Sequence, residues 1–277
     1  MEDAMNNSGL TVNWHFTQRC NMQCTYCFVS KCQEVQKKAY DIILEKLKDQ
    51  FTRVNFVGGE PTTSPHLLAL MKDARGYGLK TTIVTNGYRM AKDPEFAEKI
   101  LRSVDMVGIS IDSLNPDTNL RIGRCQNGEP LSADEYISLC KKVKDCGIPL
   151  KINTVVSRDN LDEDFTAFYK AVQPDRIKLF QVLAPNLPTK RDYTESLISK
   201  SEYDAFVARH RRKGFKVVAE DNEHMLGSYI MLNSGGCFED NVHGRRSRSL
   251  IDPYVTVESA LAEVSVDMEK YMYRYSA

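Results

Sequence analysis

A strand pattern runs directly into three closely spaced cysteines in the stretch TVNWHFTQRCNMQCTYC, residues 11–27. The first seven residues are rich in β-branched and aromatic side chains, which favours a β-strand. Cys20, Cys24 and Cys27 follow, with three and then two residues between successive cysteines. The stretch therefore predicts a strand whose carboxyl end opens into a compact loop that carries three thiols.

Outward from this loop, short β-branched or aromatic runs alternate with longer segments of helical period, which is typical of successive βα units. Six such units are too few for an eightfold barrel, so we predict an α/β fold with a partial (βα)6 barrel of the TIM type, whose chemistry lies at the carboxyl ends of the strands. The predicted strands are Thr11–Thr17, Arg53–Gly58, Thr81–Thr85, Met106–Ile111, Leu150–Val156 and Arg176–Leu183. The predicted helices are Val35–Asp49, Pro65–Tyr77, Pro94–Leu101, Ser132–Cys146 and Glu163–Ala171.

The chain divides by pattern into three parts. Residues 1–10 are predicted to be a flexible N-terminus, residues 11–183 the barrel core, and residues 184–277 a C-terminal extension. Within the extension, Glu202–Arg212 is predicted to be helical and Phe215–Val218 to form a short strand. We expect the extension to close the open side of the barrel and to contribute to the substrate site.

Composition excludes several broad classes of protein. The 277 residues include 37 Lys and Arg against 37 Asp and Glu, so no basic excess indicates a general nucleic-acid binder. No apolar run is long enough for a membrane span, and the first residues are too polar for a signal peptide or a membrane anchor. We therefore expect a soluble, cytoplasmic protein, in which the eight cysteines are reduced or bind metal rather than form disulfides.

The three loop cysteines allow two readings. Three thiolates would hold a [4Fe–4S] cluster and leave one iron open to a substrate or cofactor, since ferredoxin-type clusters take four cysteines. Alternatively, Cys32 would complete a structural zinc site of four thiolates. The remaining cysteines are scattered and are given no function, because a buried free cysteine behaves as a small hydrophobe: Cys125, Cys140, Cys146 and Cys237.

The spacing CxxxCxxC, with an aromatic residue before the last cysteine, resembles the radical S-adenosylmethionine (SAM) superfamily. Gly58-Gly59-Glu60-Pro61 after the second strand resembles the segment of that superfamily that contacts the SAM amino group. The resemblance implies a [4Fe–4S] cluster on Cys20, Cys24 and Cys27, with SAM as cofactor. It assigns SAM binding to Tyr26, Gly58, Gly59, Glu60, Asn86 and Ser110.

Cationic side chains accumulate on the faces of the strands that would point into the barrel. Because side chains alternate along a strand, Arg53, Lys151 and Lys178 are predicted to face inward. Glu60 and Asp112 are the main acids on those faces, so the cations outnumber the acids, and Arg124 beyond the fourth strand adds a further positive charge. Buried charges need partners, so we expect an external polyanion such as a triphosphate. The alternative is that a lysine or two reaches solvent.

A closer resemblance, to the viperin-like enzymes, extends from Val12 to Val255. It is carried by the segments Val12–Thr17, Ile122–Arg124, Lys151–Asn153, Lys178–Gln181, Ser228–Ile230 and Gly244–Arg246. It implies that a 5′-deoxyadenosyl radical abstracts the 4′-hydrogen of CTP, and that loss of the 3′-hydroxyl with uptake of one electron and a proton gives 3′-deoxy-3′,4′-didehydro-CTP, an antiviral nucleotide.

The same resemblance assigns residues to the substrate. It assigns binding of the triphosphate to Arg53, Arg124, Lys151 and Lys178, and binding of the nucleoside to Asn13 and Asn153. Tyr229 becomes a candidate hydrogen or proton donor, against the alternative of an ordinary core tyrosine. The basic loop with Arg245 and Arg246 would order over the terminal phosphates as a lid, against the alternative of a solvated loop.

Several points stay open at this stage. Val57 replaces a serine of the animal enzymes, so UTP remains an alternative substrate. A GTP-cyclising enzyme is disfavoured because only Cys237 lies where such enzymes bring a second cluster. A non-catalytic iron–sulfur or zinc interaction module is the alternative from another class. The enzyme would also need a one-electron reductant and the cluster-assembly machinery as partners.

Overall fold

A single mixed sheet organises the protein. The computed structural model describes residues 9–29, 34–183, 194–211 and 214–276. In these ranges ten strands pair in the order β10-β9-β8-β1-β2-β3-β4-β5-β6-β7. Strands β1 to β7 run parallel in sequence order, which is the outcome of repeated βα crossovers. Their bounds are β1 Thr11–Thr17, β2 Arg53–Gly58, β3 Lys80–Thr85, β4 Met106–Ser110, β5 Leu150–Val156, β6 Arg176–Gln181 and β7 Val217–Glu220.

Helices connect the parallel strands and cover one face of the sheet. Proline at the first turn and an aspartate cap at Asp93 begin one of them, and a capping box at Ser132 and Glu135 begins another. The helices are α1 Tyr40–Leu47, α2 Leu67–Gly76, α3 Tyr88–Lys92, α4 Pro94–Leu101, α5 Pro116–Arg121, α6 Ala133–Asp145, α7 Thr166–Val172, α8 Lys200–His210, α9 Asn222–Met225, α10 Val257–Leu261 and α11 Met268–Ser276.

The predicted barrel strands are present, with ends that shift by at most two residues. The predicted helices are also present. Pro94–Leu101 keeps its predicted bounds, and the other four helices of the core are shorter because their terminal residues lie in 3-10 turns, caps or loops; Val35–Asp49, for example, becomes the 3-10 turn Lys37–Ala39 and α1. The C-terminal helices α9, α10 and α11 were not predicted, nor were two short helices of the core, α3 and α5. They follow β3 and β4 directly, where a few residues give too little periodicity for a helix to be recognised.

The C-terminal part extends the sheet at both edges. The strand predicted at Phe215–Val218 lies at β7 and pairs parallel with β6, so the parallel series has a seventh member that the six-strand prediction left out. On the other side β8 (Met231–Leu232) pairs parallel with β1, and β9 (Cys237–Glu239) and β10 (Arg246–Ser249) continue antiparallel.

Helix α11 touches both sides of the parallel series. The Tyr271 hydroxyl lies 2.9 Å from the carbonyl oxygen of Thr11 at the start of β1. On β6, the Arg176 guanidinium donates to the carbonyl of Arg274 at 2.7 Å. The extension thus bridges strands that are far apart in the sheet order, whereas closure of the barrel stays a prediction.

The main core lies between the sheet and the helices. Trp14 and Phe16 point outward from β1 and pack edge-on against Tyr40 of α1, and Phe56 of β2 joins them. This alternation places the neighbouring Asn13 and His15 on the opposite, inner face of the strand. None of the helices in the described ranges is long and apolar enough to cross a membrane.

Candidate active site

The cysteine loop is anchored by its apolar residues and presents its thiols. Met22 and Tyr26 are buried, whereas Cys20 and Cys27 are exposed and Cys24 is partly buried. Although the Cys20 residue reaches solvent, partial desolvation of its thiol raises the pKa to about 11; desolvation also raises the pKa of Cys24, where Arg124 opposes the shift. Because a metal ligand must be a thiolate, binding of metal at this loop is expected to release protons.

The segment 122–124 clamps the cysteine loop. The backbone amide of Gln23 donates to the carbonyl of Gly123 at 3.0 Å, and that of Thr25 donates to the carbonyl of Ile122 at 3.1 Å. Gly123 has a φ of +73°, and a Cβ there would lie 2.2 Å from the carbonyl oxygen of Gln23. A side chain is therefore excluded both by conformation and by the close approach of the two backbones.

Substitution Gly123→Ala is expected to displace the cysteine loop and to lower the iron retained per chain several-fold. Gly128→Ala is the matched control, because Gly128 has a similar φ of +79° but no atom within 4 Å of the added Cβ. Both variants carry the cost of a positive φ, about 1 kcal/mol or more, and only the first adds a clash. Equal iron content in the two variants after reconstitution would contradict the clamp.

A buried ion pair lies directly behind the loop. Arg124 Nη1 is 2.8 Å from Asp112 Oδ2 and 3.8 Å from Cys24 Sγ, and its Nη2 donates to the carbonyl of Ser110 at 2.6 Å. The Tyr26 hydroxyl donates to the same carboxylate oxygen at 2.8 Å, and burial followed by Asp112 holds the pKa of that phenol well above its usual range. The predicted triphosphate ligand Arg124 thus lies at the cysteine loop, and its phosphate role stays a prediction.

The glycine pair after β2 allows the chain to pass the beginning of the cysteine loop. Cβ atoms would lie 2.3 Å from the Thr17 carbonyl oxygen at Gly58 and 2.4 Å from the Arg19 carbonyl oxygen at Gly59. The Gly59 amide donates to Thr17 at 2.9 Å. The resemblance assigns Gly58 and Gly59 to SAM binding, which stays a prediction; in the structure the backbone of residues 17–19 approaches them closely.

Glu60 links the ends of β2 and β3. Its carboxylate accepts from the Thr85 hydroxyl at 2.6 Å and the Asn86 amide at 2.7 Å, as well as from both donors of Thr62. Burial raises the pKa of this carboxyl, and these hydrogen bonds oppose the shift. The Asn86 side chain in turn donates to Asn21 of the cysteine loop at 2.8 Å. The predicted SAM ligands Glu60 and Asn86 therefore lie together beside the loop.

On the inner face of the sheet, three of the four predicted triphosphate residues lie in a cation cluster, whereas Arg124 lies at the cysteine loop. We define this cluster as Arg53, Lys151, Arg176, Lys178 and Arg274. Each of the other four cations interacts electrostatically with Lys151, and Glu220 pairs with Lys178 and Arg274. Burial and then Arg176 lower the pKa of Lys151 to about 8, and burial lowers that of Lys178 to about 7. Both shifts arise mainly because burial removes water from the ammonium group, and neighbouring cations add to them; a bound anion would oppose both effects.

Three members of this region were missed by the sequence analysis. Arg176 lies two residues before Lys178 on β6, so its inward face was readable from alternation. Glu220 ends the short strand β7, and Arg274 comes from α11, so neither position carries a local signal. With Glu220 included, the inner face has one more acid than the sequence analysis counted, although the cations still outnumber it.

Lys151 reaches the cation cluster across a glycine. A Cβ on Gly108 of the neighbouring strand β4 would lie 2.8 Å from Lys151 Cε, so the lysine side chain lies over that strand where no side chain stands. On the same strand as Lys151, Asn153 is buried, and its Oδ1 has no hydrogen-bond partner among the described residues. A buried acceptor of this kind favours a ligand that donates a hydrogen bond.

Polar residues on β1 to β3 form a chain on the inner face. The Thr82 hydroxyl donates to Asn55 at 2.9 Å, and the Asn55 amide donates to Asn13 at 2.8 Å. His15, two residues further along β1, has its pKa lowered to about 4 by burial, which Glu239 opposes. His15 is thus a neutral imidazole near pH 7, and Asn13 reaches the lumen already bonded to Asn55.

The predicted lid is partly a strand. Arg246 begins β10, and its Nε lies 2.5 Å from Glu239 on β9. Arg245 is exposed beside it, and Arg248 pairs with Glu263 at 2.7 Å. Arg246 would have to leave Glu239 in order to contact a phosphate, so the lid stays a prediction.

The fold and this arrangement can be compared with known proteins. A family model described as the Radical SAM superfamily matches residues 14–172. A S-adenosylmethionine-dependent nucleotide dehydratase from Flammeovirga pacifica is 36% identical over 280 residues, covering 97% of this chain and 95% of that relative. The chain belongs to the SAM-dependent nucleotide dehydratase family of the radical SAM superfamily. Another member of this family, from Lacinutrix mariniflava, is 32% identical, and the match covers 95% of this chain and 57% of that protein.

A solved radical SAM structure supports the fold. Streptococcus suis SuiB bound to S-adenosylmethionine aligns with a TM-score of 0.68 at 17% identity, covering 97% of this chain and 68% of that chain. A likeness at this identity concerns the fold alone, and it confirms the predicted α/β architecture with mostly parallel strands. The resemblance drawn from the cysteine motif is likewise confirmed.

As a radical SAM enzyme, the chain uses SAM and a [4Fe–4S] cluster. Cys20, Cys24 and Cys27 fit the cluster in their donor chemistry, because they are three thiols on one loop, close enough to influence one another's ionisation. The three thiols are not placed as ligands of a single metal ion, and within the described ranges no other group of three His, Cys, Asp or Glu side chains is placed in that way. The zinc alternative needs Cys32, which lies outside the described residues.

Proposed function

We propose that this enzyme dehydrates a nucleoside triphosphate inside the barrel. The observation that carries the proposal is the cation cluster, in which five cations interact through Lys151 and one carboxylate, Glu220, pairs with two of them. Arginine and lysine bind phosphate through charge-assisted hydrogen bonds, and a site with this charge would bind a polyphosphate in preference to a neutral or singly charged ligand. The dehydratase relatives support a nucleotide as the molecule that carries the phosphates.

We propose CTP as the substrate and 3′-deoxy-3′,4′-didehydro-CTP as the product, with UTP as the closest alternative. The resemblance to the viperin-like enzymes supports CTP, whereas Val57 removes a hydroxyl on β2 where animal enzymes have one. Charge alone does not choose between the two bases, because CTP and UTP carry the same triphosphate.

When bound, the cluster supplies the electron that cleaves SAM to methionine and a 5′-deoxyadenosyl radical. The chain's own residues then have separable tasks. Lys151 and Lys178 would hold the triphosphate, and the free acceptor Oδ1 of Asn153 would orient a hydroxyl or amine of the nucleoside. The Tyr229 hydroxyl donates to Glu220 Oε2 at an oxygen–oxygen distance of 2.6 Å, and we assign to it the late proton or hydrogen transfer.

Two partners follow from this chemistry. The dehydration consumes one electron beyond the one that cleaves SAM, so a one-electron reductant must dock near the cysteine loop. The cluster must also be delivered by the assembly machinery. The exposed placement of Cys20 and Cys27 is compatible with both needs.

The proposal is tested by assaying 5′-deoxyadenosine anaerobically with reconstituted, reduced enzyme, SAM and one of CTP, UTP, GTP or ATP. We expect CTP to stimulate 5′-deoxyadenosine formation and to yield a nucleotide lighter by one water. Stimulation by UTP alone would keep the reaction and change the substrate. No dependence on any nucleotide, with an intact cluster, would contradict the proposal and would favour the non-catalytic module if SAM were not cleaved at all.

The double substitution Arg245→Ala, Arg246→Ala tests the lid. We expect CTP affinity to fall about tenfold, which corresponds to the loss of one charged hydrogen bond of about 1.4 kcal/mol. Arg248→Ala is the control, since Arg248 lies on the same strand but pairs outward with Glu263. Affinity of the double variant equal to that of the control would leave these residues as a solvated loop.

A further inference from the structure

Glu220 holds together three elements of the cation cluster. Its Oε1 accepts from Lys178 Nζ at 2.7 Å. Its Oε2 accepts from the Tyr229 hydroxyl at 2.6 Å and also from Arg274 Nη2. The residue is only 4% exposed, so these three donors take the place of water around its charge. One carboxylate thereby ties β6, the segment before β8, and the C-terminal helix α11 to the end of β7.

Two cations that bind Glu220 also contact the Tyr229 ring. The Arg274 guanidinium lies 3.3 Å from the ring centroid, and Lys178 Nζ lies 5.9 Å from it. Both distances are within the range of cation–π attraction. Since Glu220 binds both cations and the phenol, loss of its carboxylate would release the phenol and the two cations at once.

Glu220 also carries negative charge into a site that we propose binds a polyanion. A carboxylate beside a polyphosphate opposes its binding, because like charges in a desolvated interface repel. An acid at this position therefore weakens substrate binding, and its presence needs another reason. The hydrogen bond to the Tyr229 hydroxyl provides one.

We propose that Glu220 is a positioning residue that orients the Tyr229 phenol for turnover at the expense of triphosphate affinity. The proposal rests on the function proposed above. Removing the carboxylate is expected to have opposite effects on two quantities. The affinity for CTP rises, and the amount of dehydrated nucleotide formed per 5′-deoxyadenosine falls. General damage to the site would move both quantities in the unfavourable direction.

The test compares Glu220→Gln, Glu220→Asp and Tyr229→Phe in cluster-loaded enzyme. CTP affinity is measured calorimetrically with SAM present and without reductant, at pH 6.5. For Glu220→Gln we expect CTP binding about tenfold tighter and the ratio of dehydrated nucleotide to 5′-deoxyadenosine several-fold lower. Glu220→Asp keeps the charge but shortens the reach, so we expect the lower ratio with unchanged affinity. Tyr229→Phe should behave as Glu220→Asp does.

Two results would overturn the proposal. The first is a ratio of dehydrated nucleotide to 5′-deoxyadenosine in Glu220→Asp that equals the wild-type ratio. The second is a Glu220→Gln variant in which both this ratio and the affinity for CTP are lower than in wild type. If Glu220→Gln does not fold, as its unfolding midpoint would show, Glu220→Asp still decides the positioning role. Wild-type enzyme is assayed in parallel. If the proposed function is wrong, wild-type 5′-deoxyadenosine formation will not depend on nucleotide; if only the role of Glu220 is wrong, it will.

Discussion

Substitution Cys24→Ser is expected to abolish SAM cleavage. Cys24 lies at the centre of the cysteine loop, 3.8 Å from Arg124, and a hydroxyl is a far poorer ligand for iron than a thiolate. Loss of one of three thiolates should leave reconstituted protein with little iron and sulfide. We expect 5′-deoxyadenosine formation below the detection limit, a loss of at least about a thousandfold, equivalent to about 4 kcal/mol.

The control for this variant is Cys146→Ser. Cys146 is an exposed cysteine at the end of α6, so its loss removes a reactive thiol without touching the loop. We expect full iron content and activity from it. Iron and sulfide in Cys24→Ser at the level of this control would contradict the assignment of the cluster to the three loop cysteines.

The second large effect is expected from Lys151→Met. Removing this cation should weaken CTP binding about ten- to a hundredfold, since a hydrogen bond to a charged group contributes about 1.5–3 kcal/mol. Burial and then Arg176 lower the pKa of Lys151 to about 8, so its positive charge destabilises the folded protein when no anion is bound. The unliganded variant should accordingly unfold at a higher temperature than wild type, although it binds CTP less well.

The stability difference between Lys151→Met and wild type is expected to depend on pH. Because the folded state lowers the pKa of Lys151 from 10.5 to about 8, the unfolded state binds more protons between these values, and the stability of the wild type rises with pH there. The advantage of Lys151→Met is therefore largest below pH 8 and shrinks towards pH 10. Lys170→Met on the exposed surface of α7 is the control, with no change in affinity. A variant with wild-type CTP affinity would remove Lys151 from the triphosphate site.

The fold was predictable because its signals are local. Thr11–Thr17, Arg53–Gly58 and Leu150–Val156 are β-branched or aromatic runs of ordinary length, and the structure confirms them without a shift. The helix at Pro94–Leu101 was equally readable from its proline and its aspartate cap. The four-residue strand β7 was displaced by two residues, because so short a run carries almost no alternation.

The candidate site was predictable only in part. The cysteine loop and Lys178 could be placed from spacing and alternation, but the partners that decide their environment come from distant parts of the chain. Arg274 reaches Glu220 from 54 residues away, and Arg124 reaches Cys24 from 100 residues away. Sequence patterns report which face of an element a residue occupies, whereas packing of the C-terminal helix decides which charges meet. Arg176 is the exception, since its position two residues before Lys178 was sufficient.

We propose that a radical made from SAM removes the 4′-hydrogen of a nucleotide held by the cation cluster. The most direct test supplies CTP deuterated at C4′ to the reduced enzyme with SAM and examines both products by mass. We expect 5′-deoxyadenosine that carries one deuterium, together with a dehydrated nucleotide that has lost its deuterium. Unlabelled 5′-deoxyadenosine, formed while CTP retains its deuterium, would contradict the proposal.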